Sequence, residues 1–152
     1  MKFGGEFSIS AEPERVFSLI TDPNFVCTKL PDVESYNIVD ENNIQLKLKV
    51  GVGFIKGTMN FSFRIESKEP PLKANVVGKG SGVGSIVDIL FEFNLTRLDP
   101  GTKVAWAASA DMHGKIATIA GGMISPAVKK NAGRFIEAIK EAIEKSGTAG
   151  AS

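Results

Sequence analysis

Hydrophobic and polar residues alternate one by one over most of the chain. A period of two places successive side chains on opposite faces of a β-strand, so each alternating segment predicts a strand with one apolar and one solvated face. Turns such as Asp99-Pro100-Gly101-Thr102 separate the segments. The predicted strands are Phe3–Ser10, Val33–Val39, Ile44–Val50, Ile55–Ile65, Leu72–Gly80, Val87–Leu95 and Val104–Ala110.

From Lys115 to about Lys145 the period changes to that of a helix. The second half of this stretch has one apolar stripe, whereas the first half has a face of glycines and alanines. Pro126 has no amide hydrogen to donate, so we expect a bent or broken helix with the bend between Gly121 and Pro126. Ser146-Gly147 predicts the end of the helix. The apolar stripe consists of Val128, Ala132, Phe135, Ile136, Ile139, Ala142 and Ile143.

Two short helices are predicted between the first and second strands. The first opens at Glu12-Pro13-Glu14, where proline fits the first turn and carboxylates suit the positive end of the helix dipole. Asp22-Pro23 ends it and caps a second helix, which runs to about Thr28 and stops before Pro31.

The order of elements predicts the fold class. The connections between the late strands are too short for parallel crossovers, so consecutive strands pair as antiparallel neighbours. Because one major helix has to cover the apolar faces of all the strands, the sheet must curve around it. We expect an α+β fold in which a strongly curved seven-stranded antiparallel sheet wraps around a long C-terminal helix. Residues 1–145 are expected to form a single domain, and residues 146–152 a disordered tail.

Composition places the chain among ordinary globular domains. It has 152 residues, of which 43% are apolar and 23% charged, and its net charge is +1. A charge this small argues against a general nucleic-acid or anionic-membrane surface. No apolar run is long enough to span a bilayer and no hydrophobic signal segment opens the chain, so we expect a cytoplasmic location.

The residue types used in catalysis and metal binding are scarce. His113 is the only histidine, and Cys27 is the only cysteine. We therefore expect no histidine pair, Ser-His-Asp set, disulfide or cysteine-cluster metal site, and hence no hydrolytic or metal-dependent activity and no cofactor. Cys27 is expected to be buried, and His113 to lie near the start of the long helix.

Glycine occupies every second position from Gly78 to Gly84. This spacing is only superficially like a nucleotide-binding loop, because no helix follows and the strand pattern resumes at once. We expect these glycines to let the sheet curl or to let another backbone come close.

Basic residues project from the solvated faces of neighbouring predicted strands, namely Lys47, Lys49, Lys56 and Arg64. Binding of single-stranded nucleic acid also needs exposed aromatic rings, and the phenylalanines of these strands fall on the apolar face. We expect no nucleic-acid partner and interpret the lysines as a protection against edge-to-edge aggregation.

Several short stretches, in this order and at this spacing, carry a resemblance to a known family. The chain resembles the CoxG family, named for a subunit of carbon monoxide dehydrogenase, of the START-like (SRPBCC) helix-grip superfamily, from Phe3 to about Glu144. The stretches are Gly5-Glu6-Phe7, Glu14-Arg15-Val16-Phe17, Asp22-Pro23, Leu30-Pro31, Val50-Gly51-Val52, Phe54-Ile55-Lys56-Gly57, Gly78-Lys79-Gly80, and Ala110-Asp111 to Gly114 before a helix with Ile116-Ala117, Gly121 and Phe135.

The resemblance implies a non-catalytic protein that binds a hydrophobic small molecule, quinone or lipid-like. It also implies association with a molybdenum hydroxylase such as carbon monoxide dehydrogenase, and transient contact with the inner face of the membrane. Some family members end in a hydrophobic anchor. Residues 146–152 are small and polar instead, so stable anchoring through them is not expected.

A mismatch in side-chain volume locates the candidate ligand pocket. Large residues of the sheet face small residues of the first half of the long helix, which either draws the two together or leaves a cavity. The residues alone leave both alternatives open, and the resemblance favours the cavity. A bend at Gly121 to Pro126 is expected to act as a hinge, with loop residues at a mobile mouth. The predicted pocket residues are Leu30, Val52, Phe54, Met59, Phe61, Phe91, Trp106, Ala108, Ala110, Ile116, Ala117, Ala120, Gly121 and Ile124.

The alternative is an enzyme. Related START-like folds use a few acids and hydroxyls in the pocket for cyclase or dehydratase chemistry, and Asp111 and His113 are the candidates here. Asp88 is a third, although the alternation of its strand places it on the solvated face.

Overall fold

The computed structural model describes residues 1–119 and 121–151, with side chains described for 1–119 and 122–145. The order of elements is the one predicted: a strand, two short helices, six strands and a long helix. In chain order they are β1 (Lys2–Ile9), α1 (Pro13–Ile20), α2 (Pro23–Lys29), β2 (Val33–Asp40), β3 (Asn43–Val52), β4 (Ile55–Glu69), β5 (Lys73–Gly82), β6 (Ser85–Arg97), β7 (Thr102–Gly114), a 3₁₀ turn (Lys115–Thr118) and α3 (Gly121–Ala151).

All seven strands form one antiparallel sheet in the order β1-β7-β6-β5-β4-β3-β2. Consecutive strands from β2 to β7 are joined as hairpins. Strand β1 pairs antiparallel with β7, and Phe3 lies opposite Ala108. Alternate residues point to the concave face, as the period of two predicts. Among them Leu46, Met59 and Val104 are at most 2% exposed.

The main core lies at one end of the sheet. There the second half of α3 packs against α1 and the strands through Ile139 and Ile143, which are 3% and 0% exposed. Their partners come from both ends of the chain, so closing this core requires the complete sheet. The buried members are Ile9, Val16, Phe17, Ile20, Ala74, Leu95, Val104, Ile139 and Ile143.

A second, smaller cluster lies at the other end of the sheet, where Ile55, Ile119 and Ile124 are buried together. The first turns of α3 are held there against the hairpin of β3 and β4 and the turn between β5 and β6. The half-buried residues around it are Phe3, Val50, Val52, Val83, Met112, Ile116 and Val128.

The interruption of the long helix is not where the sequence predicts it. The segment from Lys115 forms a 3₁₀ turn, and Ile119 is extended, with φ −81° and ψ 134°. Ile119 is 8% exposed, so the break lets its side chain reach the second cluster. Pro126 lies inside α3, near the start of the helix. The helical stretch is broken as expected, but the break precedes Gly121 and is therefore not at the predicted position. A bend of α3 between Gly121 and Pro126 stays a prediction.

Two other boundaries differ. Strand β7 continues past its predicted end at Ala110 to Gly114, because its hydrogen-bonded register with β6 continues to the pair Gly114 and Ser85. Helix α3 extends to Ala151, past the predicted end at Ser146-Gly147. The division into a domain of residues 1–145 and a tail of residues 146–152 stays a prediction.

Candidate functional site

Aromatic rings line the centre of the concave face. Phe61 and Phe63 of β4 have ring centroids 6.0 Å apart and nearly parallel planes. Phe91 of β6 stacks on Trp106 of β7, with centroids 5.8 Å apart and planes within 2°. All four side chains are half-buried although they point to the inside of the sheet. The centre of the concave face is thus an apolar wall that the rest of the chain covers only in part.

Glycines of the neighbouring strands make room for these rings. A Cβ atom added to Gly80 would lie 2.4 Å from Cε1 of Phe61, and one added to Gly78 would lie 2.5 Å from Cε1 of Phe63. At Gly5 the added atom would lie 3.1 Å from Nε1 of Trp106. The sequence predicts that the alternating glycines let the sheet curl or admit another backbone. At Gly78 and Gly80 they admit aromatic rings, because the register of β4 and β5 sets each ring beside a glycine.

Among the described residues, the buried side chains of the helical region lie at the two ends of the sheet. Ile139 and Ile143 of α3 close the main core, while Ile124 of α3 and Ile119, just before the helix, close the second cluster. Among the described residues, Phe63, Phe91 and Trp106 belong to none of the buried clusters. Burial of a large ring is favourable by roughly 1.5–3 kcal/mol, so incompletely buried rings on an interior face mark a surface suited to an additional apolar partner.

The indole nitrogen of Trp106 is the polar atom on this wall. Its Nε1 is buried and, among the described side chains, it is the one buried nitrogen or oxygen without a hydrogen-bond partner. An unsatisfied buried donor costs about 1–3 kcal/mol. An acceptor oxygen brought to this atom would remove that cost.

The structure brings most of the predicted pocket residues to this face, but not all. Met59 and Ala110 are buried in one cluster beside Phe61 and Ile116, and Val52 and Ile116 pack against the second cluster, which contains the buried Ile124. Leu30 is half-buried at the end of α2 and belongs to none of the clusters among the described residues. Ala117 and Phe54 are exposed. Ala120 and the side-chain position of Gly121 lie outside the described residues. The half-buried members are Leu30, Val52, Phe61, Phe91, Trp106, Ala108 and Ile116.

Asp111 and His113 do not face the pocket. On β7 the side chains of Trp106, Ala108, Ala110 and Met112 point inward, so Asp111 and His113 point to the convex face by alternation. Both are exposed. The enzyme hypothesis placed them in the pocket, and that placement is wrong because β7 continues through Gly114.

The convex face holds a small polar group around His113. Its Nε2 lies 3.9 Å from Oδ2 of Asp88, with side chains 63% and 52% exposed, so Asp88 lies on the solvated face as predicted. An open depression of about 310 Å³ adjoins His113 and is lined by the turn between β5 and β6. Within the described part of the chain, no three His, Cys, Asp or Glu side chains are grouped as metal ligands would be.

Cys27 is buried as predicted, at 3% exposure. Burial raises the pKa of its thiol, because the charged thiolate is poorly solvated there. A thiol with a raised pKa is mostly protonated at neutral pH, which suits a packing role on α2.

The sequence did not predict one residue at the end of the sheet that carries the second cluster. Met123 of α3 is 51% exposed, and its Cε lies 3.1 Å from the position of a Cβ on Gly53. It therefore lies over Gly53 in the turn of the β3–β4 hairpin, where the next residue, Phe54, is 66% exposed. No periodic signal in the sequence marks Met123, because its neighbours are the glycines and alanines of the small-residue face of the predicted helix.

None of the helices in the described chain combines the length and the apolar character that crossing a membrane requires.

Solved structures share this architecture. A conserved protein from Geobacillus kaustophilus superposes with a TM-score of 0.87 at 23% identity, over 96% of this chain and 97% of that one. A START superfamily protein from Mycobacterium smegmatis gives 0.73 at 12% identity, over 95% and 97%. A protein from Thermus thermophilus gives 0.63 at 19% identity, over the whole of both chains. At these identities the likeness establishes the fold, which is START-like.

No curated protein sequence matches the chain. The model of one protein family does match, and it covers residues 5–144, nearly the whole of the described structure. That family is described as the CoxG subunit of carbon monoxide dehydrogenase. The chain therefore belongs to the CoxG family.

Proposed function

We propose that the protein is a non-catalytic carrier that holds a hydrophobic small molecule, quinone or lipid-like, between the concave face of the sheet and the start of the helical region. Membership of the CoxG family and the START-like fold support a binding or carrier role. The proposed pocket is the part of the predicted one that lies around Phe91, Trp106 and Ala108.

The half-burial of Phe63, Phe91 and Trp106 on an interior face is the observation that carries this proposal. Interiors normally pack to a density of about 0.74, and rings on the inside of a sheet are covered in a completed core. Here the two buried clusters that fix α3 lie to either side of the rings. In this proposal a flat apolar ligand lies between the two clusters and stacks on the parallel pair of Phe91 and Trp106.

Trp106 also supports a ligand that carries an oxygen. Its unpartnered Nε1 is a hydrogen-bond donor beside the apolar wall. A quinone or ester carbonyl would accept from it once the indole turns Nε1 away from Gly5, whereas a plain hydrocarbon would leave the donor unsatisfied. We therefore expect carbonyl compounds to bind more tightly than hydrocarbons of the same shape.

The family description names carbon monoxide dehydrogenase, so the proposed partner is a molybdenum hydroxylase of that kind. In this proposal the carrier works in the cytoplasm and visits the inner face of the membrane. The cyclase or dehydratase alternative has no support from the side chains, since Asp111 and His113 are exposed on the convex face.

Trp106 provides the assay, because it is the only tryptophan in the chain. Titration of the purified protein with a menaquinone analogue should quench its fluorescence in a saturable way. Native mass spectrometry and organic extraction of the same sample should identify a co-purified quinone or lipid. The proposal fails if the wild-type protein neither contains nor binds any such molecule.

A matched pair of variants tests the location. Ala108 is half-buried on the concave face, and Ala107 is exposed on the convex face of the same strand. Ala108→Phe should fill the pocket and weaken binding by about tenfold or more, a difference of about 1.4 kcal/mol, while Ala107→Phe should not. Equal affinity of the two folded variants would show that the ligand binds elsewhere.

A further inference from the structure

The neighbours of Trp106 on the concave face are all apolar. Strands β1 and β6 pair with β7 on either side of it, so the backbone carbonyls of this stretch are hydrogen-bonded within the sheet. The neighbours are the cross-strand partners Gly5 and Phe93, the same-strand residues Val104 and Ala108, and Phe91, whose ring is stacked on the indole. The indole Nε1, which has no hydrogen-bond partner among the described residues, is therefore the polar atom at this point of the wall.

The other side-chain oxygens of this face lie at the ends of the strands. Strands β6 and β7 are described in full, and on their concave face an oxygen is carried by Ser85 and Thr102. Ser85 Oγ accepts a hydrogen bond from the amide of Ile116 at 2.9 Å, and Thr102 Oγ1 donates one to the carbonyl of Ala11 at 2.7 Å. Both side chains are buried. Neither hydroxyl is therefore within reach of a ligand at the middle of the wall.

The long helix adds no acceptor beside Trp106. Among the side chains of α3 described at 122–145, the half-buried ones that carry an oxygen are Ser125 and Glu144. Ser125 follows Ile124 of the second cluster, and Glu144 follows Ile143 of the main core and accepts a hydrogen bond from the amide of Ser10. Within the described structure, the middle of the wall thus offers a ligand one hydrogen-bond donor and no side-chain oxygen acceptor.

A carbonyl and a hydroxyl group have different requirements at such a site. A carbonyl oxygen only accepts, so a ketone, ester or quinone oxygen is satisfied once it accepts from the indole Nε1. A hydroxyl group also carries a donor hydrogen. On entering an apolar site this hydrogen loses its bond to water and finds no acceptor in exchange, which costs binding free energy. The wall therefore distinguishes two ligands of nearly equal shape by their hydrogen-bonding groups.

We propose that the pocket selects the oxidised, carbonyl form of its ligand over the reduced, hydroxyl form, and that Trp106 determines this specificity. Reduction of a quinone adds two electrons and two protons and turns both carbonyls into hydroxyls, so the quinol carries two donors where the quinone has none. Discrimination by a missing hydrogen-bond partner is larger than discrimination by a small change of shape. The protein thus takes up the quinone form and releases the quinol form.

This inference rests on the proposed carrier function, because it concerns the same pocket, and it deepens that function by naming the form of the ligand that is carried. The two ideas fail in different ways. A pocket without the preference would bind a ketone and the corresponding alcohol equally well, whereas a protein without the pocket would bind neither of them.

The preference also predicts a shift in redox potential. If the quinone binds tenfold more tightly than the quinol, the midpoint potential of the bound two-electron couple is about 30 mV lower than that of the free couple, because binding favours the oxidised form. Redox titration of menadione with and without a saturating concentration of the protein measures this shift. An unchanged or raised potential of the bound couple would contradict the proposal.

Three flat compounds of one shape test the hydrogen-bond argument without redox chemistry. Fluorenone has a carbonyl, fluorenol has a hydroxyl at the same position, and fluorene has neither. Isothermal titration calorimetry should show that the wild-type protein binds fluorenone about tenfold or more tightly than fluorenol. Equal affinities for these two compounds would overturn the preference and leave the carrier role in place. If none of the three compounds and no menaquinone analogue binds, the carrier role and the preference fail together.

Two variants assign the preference to Trp106. Trp106→Phe keeps a ring but removes the donor, so the affinity for fluorenone should fall about tenfold, toward that for fluorene. Ala108→Ser adds an acceptor beside the indole and should bring fluorenol to within about threefold of fluorenone. Ala107→Ser, on the convex face of the same strand, is the control and should leave the ratio unchanged.

Melting temperatures and circular dichroism establish that each variant is folded. A preference for fluorenone over fluorene that persists in Trp106→Phe would show that the indole is not the donor. If Trp106→Phe does not fold, Ala108→Ser decides alone: a ratio of fluorenone to fluorenol affinity equal to that of the wild type would overturn the proposal.

Discussion

Gly80 of β5 and Phe61 of β4 share one site: a Cβ atom on the glycine would lie 2.4 Å from Cε1 of the ring. The two residues are cross-strand partners, and the ring occupies the space that a side chain of residue 80 would need. The same relationship links Gly78 to Phe63. The aromatic wall of the concave face thus depends on Gly78 and Gly80. Neither has a positive φ, so the backbone conformation does not require glycine at these positions, whereas the space taken by the rings does.

Gly80→Ala should therefore destabilise the protein by about 1–3 kcal/mol, the usual cost of overpacking a filled site. Gly51→Ala is the control, since Gly51 is also a strand glycine but has open space at its Cβ. Urea unfolding measures both. In a Phe61→Leu background the cost of Gly80→Ala should shrink, and an unchanged cost would show that the ring is not the obstacle.

Ile143→Ala should cost about 2–5 kcal/mol, because Ile143 is 0% exposed and its loss leaves a cavity in the main core. Ile136 of the same helix is half-buried and, in the described structure, belongs to no buried cluster. Ile136→Ala should cost about 1 kcal/mol or less. Equal losses in denaturant unfolding would mean that α3 does not hold the main core as described.

Replacing either of two glycines of α3 by alanine should increase the stability of the protein. Gly122 and Gly133 have open space at the Cβ position, so alanine at either site should stabilise by about 0.5–1 kcal/mol through a less flexible unfolded chain. Gly114→Ala should do the reverse, because φ there is +82° and the new Cβ would lie 2.2 Å from the carbonyl oxygen of Gly84. Melting temperatures should rise for the first two and fall for the third.

The carboxyl of Glu92 has a pKa below its usual range, because Asn94 donates a hydrogen bond to it and Lys73 adds a second contact and an opposite charge. A lowered folded pKa stabilises the protein at neutral pH, and that contribution is lost as the pH falls below the ordinary glutamate value through the folded one. Asn94→Ala should raise the pKa of Glu92 toward its ordinary value.

An NMR titration of the Glu92 carboxyl follows this change directly. Asn75→Ala is the control, because Asn75 donates to Ser67 and not to the carboxylate. If the pKa of Glu92 is similar in the wild type and in Asn94→Ala, Asn94 is not the main cause of the lowered pKa.

The fold could be predicted because alternation reports directly which side of a strand is buried, and the chain alternates in seven separate segments. The position of the helix break could not. Local sequence marks Pro126 as the disturbance, whereas the break at Ile119 depends on packing against Ile55, which lies on another hairpin far away in the chain. Contacts of that kind are set by the closed sheet.

The candidate site shows the same limit. The sequence predicts which residues of β4, β6 and β7 face inward, so Phe61, Phe91 and Trp106 were found. It does not give the register between strands, and the register decides that a ring lies over each glycine. The predicted placement of Asp111 and His113 in the pocket is wrong for a simpler reason. The predicted strand ends at Ala110, whereas β7 and its alternation continue to Gly114.

The pairing of β1 with β7 has a consequence for how the protein folds during synthesis. Phe3 pairs in register with Ala108, so the first strand made has its partner roughly a hundred residues later. At 5–20 residues per second the ribosome takes roughly 5–20 s to supply that partner. Until then the apolar face of β1, with Phe7 and Ile9, has no sheet to join, and α1 has no main core to cover. Folding should therefore wait for nearly the whole chain, and a nascent chain stalled before Thr102 should be a client of chaperones and not a partly folded domain.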